Sequence, residues 1–167
     1  MTTGRTLPKW FKVQVDDGTA MRDIPVNTCS PVGFSFEKID VSCLQEANKS
    51  SLAGQGEVIS VTITGPLDNT AAATASASGE APALTGSHTV LSAIATPTYC
   101  NVARSVAFYQ GVQANWTTGD PVFGGVDDWI ITRYDVDLSA GTYSATFEYK
   151  TGTTAPAWGT AAIAASA

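Results

Sequence analysis

Residues 126–151, VDDWIITRYDVDLSAGTYSATFEYKT, constrain the fold more than any other stretch. Thr142, Ser144, Thr146, Glu148 and Lys150 alternate strictly with Tyr143, Ala145, Phe147 and Tyr149. Side chains of a strand point to opposite faces in turn, so this arm has one polar face and one face that packs on a core. The preceding arm also alternates: Ile130, Thr132, Tyr134, Val136 and Leu138 fall on one face, and Trp129, Ile131, Arg133, Asp135 and Asp137 on the other. Ser139-Ala140-Gly141 reads as the short turn of an antiparallel hairpin. Two strands cannot bury such a face alone, so the rest of the chain must supply the sheet that covers it.

Composition agrees. The 167 residues suffice for one domain with a proper core. Only 14% are charged, and Gly, Ala, Ser and Thr abound, which suits an all-β chain better than a helical one. The net charge of -6 leaves no basic patch for gripping nucleic acid. Cys29, Cys43 and Cys100 are odd in number and lack zinc-ligand spacing, and free buried thiols are favoured over a disulfide. The stretch MTTGRTLPKWF has no apolar signal-peptide region, and no apolar run approaches the ~20 residues of a membrane span. The expectation is a protein folded in the cytoplasm where it is made, with no membrane insertion.

Further strands follow from the same periodicities. Residues 1–8 read as an N-terminal arm, Lys9 to Asp16 as a strand, Asp16-Asp17-Gly18 as a turn, and Arg22 to Thr28 as the return strand with Pro25 marking an irregular position. A strand resumes through Val32, Phe34 and Phe36. Residues 37–58 read as a long loop with embedded apolar residues, within which Asp40 or Ser42 could cap a helical turn near Leu44–Asn48. Glu57 to Thr64 is a strand ended by Gly65-Pro66. The small-residue stretch 70–84 reads as an exposed loop, because Gly79, Pro82 and interspersed Ser and Thr oppose a helix. Residues 86–95 form the best helix, with Thr85 or Ser87 as N-cap and Val90, Leu91 and Ile94 on one face. Asn101 to Gln113 is a strand, 117–121 and 124–125 are turns, and 152–167 is a C-terminal arm whose Trp158 suggests docking, on a neighbour for instance. The fold class expected is mainly β: a β-sandwich or flattened barrel of six to eight antiparallel strands, with one short α-helix, a long inter-strand loop and terminal arms, all in one domain over residues 1–167.

Chemistry is scarce. His88 is the only histidine; its neighbour Ser87 does not make a nucleophile pair, and the helix reading makes Ser87 a cap and His88 a surface residue. Asp135 and Asp137 share a strand face with Asp127 and Asp128 nearby, but no calcium-loop spacing exists, so a solvated acidic face is the simpler reading. Gly54-Gln55-Gly56 and Gly124-Gly125 lack the partners of nucleotide-binding loops. Trp10, Trp116 and Trp129 are scattered without basic residues between them, and Trp129 suits either a subunit contact or a second core face. No catalytic, cofactor-binding or metal-binding residue is assigned, which favours a structural or interaction protein over an enzyme.

The order of features resembles that of the tail tube (major tail) proteins of long-tailed bacteriophages. The resemblance runs over residues 9–151: a starting hairpin (WFKVQVDDG and RDIPVN), GFSFEKIDVSCLQEANKSSLAGQGEV as a strand leading to a long loop, ISVTITGPLDNT as a strand closing in a Gly-containing turn, TGSHTVLSAI as the single helix, and the final hairpin. The resemblance implies hexameric rings of this chain stacked into the hollow tube of a virion tail. The other partners implied are tail proteins such as the tape measure and the tail terminator. DNA would pass through the lumen without specific binding. A lumen lined with carboxylates repels phosphates, so Asp135, Asp137 and Glu148 are the candidate lining. Leu44, Leu52 and Gly54 mark the candidate ring-stacking loop, because two leucines stand in an otherwise polar stretch. Two other readings compete: a capsid decoration protein, and a carbohydrate-binding β-sandwich module using Trp10, Trp116 and Trp158 as stacking platforms.

Overall fold

The computed structural model describes residues 6–112, 116, 119–150 and 155–165. The expectations for 1–5, for the 117–118 turn and for 152–154, and the side chain of Trp10, lie outside the described residues. In chain order the elements are β1 Thr6–Asp16, β2 Met21–Ile24, β3 Thr28–Cys29, β4 Phe34–Asp40, β5 Ser51–Val58, β6 Val61–Pro66, α1 Ser87–Ile94, β7 Arg104–Val112, β8 Val122–Asp137, β9 Thr142–Tyr149 and β10 Ala157–Gly159. Eight strands form one antiparallel sheet in the order β2-β1-β7-β8-β9-β6-β3, with β10 against β8; β4 and β5 form a separate two-stranded ribbon. The protein is mainly β with one short helix, as the alternation in the sequence requires.

The strands β2 and β3 stand at opposite ends of the sheet order, yet only residues 25–27 separate them in the chain. Such a link spans at most about 14 Å when extended. The sheet therefore curls until its ends approach each other, an open, flattened barrel. The sequence reads residues 22–28 as one strand; Pro25 divides it, since proline cannot donate to a ladder. Beyond the break Asn27 N donates to Thr64 O at 2.8 Å, on the far edge of the sheet. The Tyr143 hydroxyl clasps the seam by donating to Pro25 O at 2.7 Å. Tyr143 is buried, and burial holds its hydroxyl protonated well above the usual phenol range. Tyr143→Phe leaves that carbonyl without a donor and is expected to cost about 1–2 kcal/mol, read as a lower denaturant midpoint at unchanged slope.

The long hairpin is present as β8 and β9, with Gly141 in the turn at φ +67, where only glycine is free of strain. Tyr143, Ala145 and Phe147 face the core, as their alternation predicts. The first arm departs from strict alternation. A bulge lies at Thr132, because Ile131 opposes Phe147 while Arg133 opposes Thr146. One extra residue reverses which face the following side chains take. Trp129 and Ile131 therefore lie in the core on the same side as Tyr134 and Val136, while Arg133, Asp135 and Asp137 are exposed on the other. Trp129 is fully buried, edge-on to Phe108 and Phe123 at 5.8 and 6.2 Å; it makes core, not a subunit contact.

The barrel interior is filled by Val13 and Val15 of β1, Val61 and Ile63 of β6, Val106 and Phe108 of β7 and Phe123 of β8, with Val90, Leu91 and Ile94 of α1 packed against them. The helix has neither predicted cap. Gly86 is its N-cap residue, without a side-chain bond. The Ser87 hydroxyl instead donates to Pro66 O at 2.8 Å and accepts from Asp68 N at 3.1 Å, which ties the helix to the turn after β6. A Cβ at Gly86 would stand 2.4 Å from Thr70 N, so this close approach excludes other residues.

Two segments coat the outer face of β1, β2 and β7. Residues 70–84 contain no helix, as expected, but they are not a free loop. Lys12 Nζ donates to Ser76 Oγ, Ala77 O and Glu80 O at 2.8 to 3.0 Å, and Gln14 Nε2 to Ser76 O at 3.0 Å. Asp23 Oδ2 accepts from Ser76 N, Ser76 Oγ and Ala83 N at 2.8 to 2.9 Å. Lys12, Gln14 and Asp23 are all buried beneath this strap. The C-terminal segment lies beside it. There β10 pairs with the start of β8 and Trp158 packs on Phe123 at 4.9 Å, so this arm docks on its own domain. At the other end, β1 begins at Thr6, which takes residues 6–8 into the sheet.

Candidate functional site

The stretch read as a long loop is a hairpin. Its strands pair from Phe34↔Val58 at the base to Asp40↔Ser51 near the tip, leaving 41–50 as the loop, in which Leu44–Asn48 forms no helix. The base is anchored, since Phe34 packs edge-on to Phe123 at 5.5 Å. Beyond it the ribbon stands away from the core. Phe36 opposes Gly56 and Ile39 opposes Leu52; a bulge in β5 separates the two pairs, and Phe36, three residues before Ile39 on the regular strand β4, lies on the opposite face from Ile39 and Leu52. Both faces carry bare apolar side chains: Phe36 is 60% exposed on one, Ile39 43% and Leu52 61% on the other, and Leu44 in the loop is 100% exposed. The glycines are part of the design. A Cβ at Gly54 would meet Ile39 Cδ1 at 2.7 Å, and one at Gly56 the Phe36 ring at 2.9 Å, so both side chains lie flat across the ribbon. Of the residues singled out in sequence, Leu52 and Gly54 are thus on β5 and only Leu44 is in a loop. Ile39, which shares the face of Leu52, and Phe36 on the other face were not singled out; their signal was bulky residues packed over glycines.

A second surface is the outer face of β6, β9 and the end of β8, which neither the strap nor the tail covers. Asp135 stands opposite Ser144, Asp137 opposite Thr142, and Glu148 opposite Ile130. All three candidate acids are exposed, and the alternation brings them to one face. Around them lies a row of hydroxyls, with Thr62 and Thr146 hydrogen-bonded at 3.0 Å and Thr28 to Thr64 beyond. Arg133 pairs with Asp135 in the open, where ion pairs contribute little. Asp137 has a local task too. The Ser139 hydroxyl and the Ala140 and Ser139 amides hold its carboxyl below the usual range and fix the hairpin turn.

The other acids differ from their reading as a solvated face. The ladder between β7 and β8 jumps from Val106↔Gly125 to Arg104↔Trp129, so residues 126–128 bulge out. Asp127 takes φ +56, and its amide donates to Ser105 Oγ at 3.2 Å. Its Oδ1 is buried without a partner. Asp128 is 2% exposed; burial, then the Asp127 charge, push its carboxyl up to about 6. Both line a groove of 680 Å3 beneath the C-terminal segment, together with Trp158 and Thr160.

His88 is half-buried, with Nδ1 2.8 Å from the Tyr134 hydroxyl and the two rings stacked. Among the described residues, no three of His, Cys, Asp and Glu are grouped to hold a metal, and no helix is long and apolar enough to cross a membrane. The cysteines are free, but Cys43 and Cys100 are exposed; only Cys29 approaches the expected burial, which pushes its thiol up to about 11. Trp116, one of the supposed sugar platforms, is half-buried with the Lys12 ammonium 5.2 Å from its ring centre.

No protein family model matches the chain, and no curated protein matches it by sequence. Solved structures do share its fold. A chain of the anti-feeding prophage baseplate, solved by cryo-EM with 6-fold symmetry, superposes with a TM-score of 0.55 at 11% identity, covering 89% of this chain and 91% of that one. A chain from the PVC sheath/tube terminator of an extracellular contractile injection system, in its extended state, gives 0.50 at 13% identity with the same coverage. The rolled sheet with its single helix is therefore a fold found in chains of phage-tail-like injection particles.

Proposed function

We propose that this protein is a structural subunit of a phage tail. Copies assemble into rings, and the rings stack into the tube through which DNA leaves the virion. The observation that carries this reading is the projecting β4–β5 hairpin with bare Ile39 and Leu52 on one face, bare Phe36 on the other and the fully exposed Leu44 in its loop. A two-stranded ribbon with bare apolar side chains is marginal in water and gains stability when a neighbour covers it. The occupant is a second copy of this chain, since the ribbon is presented by every subunit and a ring repeats one head-to-tail contact until it closes. The fold likeness to a chain from a 6-fold particle makes six the copy number to test. The role is architectural, not enzymatic; the tape measure and tail terminator are the further partners implied, and the site of action is the virion tail.

The bare face of β6, β9 and β8 is the lumen wall in this reading. Asp135, Asp137 and Glu148 repel the phosphates of passing DNA, and the hydroxyls around them keep the wall wet. Changing Asp135, Asp137 and Glu148 together to Lys is expected to leave assembly intact and slow DNA ejection at least severalfold, with the slowing relieved by salt. Equal ejection rates would refute that lining. Negative-stain microscopy of the purified chain tests the main proposal: hollow tubes or rings support it, and a persistent monomer overturns it. The likeness to chains of a baseplate and of a terminator structure favours one second reading, a ring that begins or ends the tube. Single rings that do not stack, even at high concentration, would select it.

A further inference from the structure

We propose that the Asp127–Asp128 bulge binds a hard divalent cation of the calcium class, which ties β8 to the C-terminal segment 155–163. Two carboxylates from adjacent residues enter one groove of 680 Å3. One of them, Asp128, is 2% exposed, and Asp127 Oδ1 is buried with no hydrogen-bond partner. Among the described residues, no ion pair compensates these charges. The ion pairs among the described residues engage Asp17 and Asp135, and the Lys150 ammonium is turned to Asn101 O. A buried carboxylate without a partner is strongly disfavoured unless it is neutralised.

The donor set selects the ion. Among the residues that line the groove, the side chains with donor atoms for a cation are Asp127, Asp128 and Thr160, and all of those atoms are oxygens. Soft metals prefer sulfur or imidazole, and none lies in this groove. Calcium accepts six to eight oxygens in irregular arrangements, with water completing the shell, whereas magnesium demands a near-ideal octahedron. Carboxylates one residue apart on a bulge suit the more tolerant ion. The bulge follows the same logic. It removes residues 126–128 from the ladder and turns Asp127 into the left-handed region at φ +56, placing both acids where a regular strand would send them to opposite faces.

The test uses the full chain, stripped with chelator and held at about pH 7.5. Thermal unfolding is followed while Ca2+ is added. At a hundredfold excess over its dissociation constant, Ca2+ is expected to raise Tm by about 5 °C or more. The double variant Asp127→Asn, Asp128→Asn loses that response. No shift in the native chain, or a shift kept by the double variant, overturns the site. Should the double variant fail to fold, Tb3+ decides on the native chain. Trp158 lines the groove and Trp129 follows Asp128 in the chain, so tryptophan excitation should sensitise Tb3+ emission, and Ca2+ should quench it by competition. Absence of sensitised emission, or emission that Ca2+ does not quench, overturns the proposal.

Discussion

Asp23→Ala is expected to lower the free energy of unfolding by about 3–5 kcal/mol, the largest effect of any single polar substitution in this chain. Asp23 is fully buried, and one of its oxygens takes three hydrogen bonds from the strap. Removing it leaves the Ser76 and Ala83 amides and the Ser76 hydroxyl without an acceptor. It also strips the buried Lys12 ammonium of a nearby negative charge. Burial lowers the Lys12 pKa, while Asp23, Glu80 and Asp120 work against that shift. The remaining positive charge then sits under the strap with less to balance it. The consequence should be local before it is global: residues 70–84 become cleavable by protease under conditions where the rest of the chain resists. Lys12→Met separates the contributions. The double variant Lys12→Met, Asp23→Asn should cost clearly less than the sum of the two single variants, because each charge is most damaging when left alone. Strict additivity, with no new cleavage between 70 and 84, would show that the strap is not held by this pair.

Replacing Leu44 and Leu52 with Asp is expected to abolish assembly while leaving the subunit folded. Leu44 is fully exposed and Leu52 largely so, and neither belongs to the core. Surface changes of this kind usually move stability by less than about 0.5 kcal/mol. In the stacked-ring reading the same two side chains are buried against the next copy. Four carboxylate oxygens per subunit would then enter an apolar contact repeated around every ring. A desolvated unpaired charge costs several kcal/mol, and the ring multiplies that cost. Sedimentation velocity should show a monomer with unchanged thermal unfolding, and microscopy should show no tubes. Tubes of normal length from this variant would remove the hairpin from the interface. Gly54→Val offers a gentler comparison, since its side chain would push Ile39 off the ribbon and roughen the same face without adding charge.

The alternation in residues 142–149 determined by itself that these residues form a strand, and which of its faces is buried. The same holds for the absence of a helix in 70–84 and the apolar face of α1. These are local matters: the period of the pattern, the backbone limits of proline and glycine, and side-chain size decide them within a few residues. The hairpin turn at Gly141 belongs with them.

What the tertiary structure alone decided concerns partners distant in the chain. The bulge at Thr132 cannot be read from β8, because it exists only in relation to the register of β9. Residues 37–58 looked like a loop because neither arm of the ribbon there has a buried face to impose alternation; cross-strand contacts such as Phe36 over Gly56 hold the ribbon instead. The strap looked free because its own residues are small and polar, while the groups that hold it, Lys12, Gln14 and Asp23, lie some sixty residues earlier. Asp127 and Asp128 looked solvated because burial is a property of what packs above them, and that is the C-terminal segment. Sequence periodicity reports whether a side chain meets a core; it carries no record of which distant segment lies over the opposite face, and in this protein the opposite faces hold the strap, the acidic groove and the surfaces of assembly.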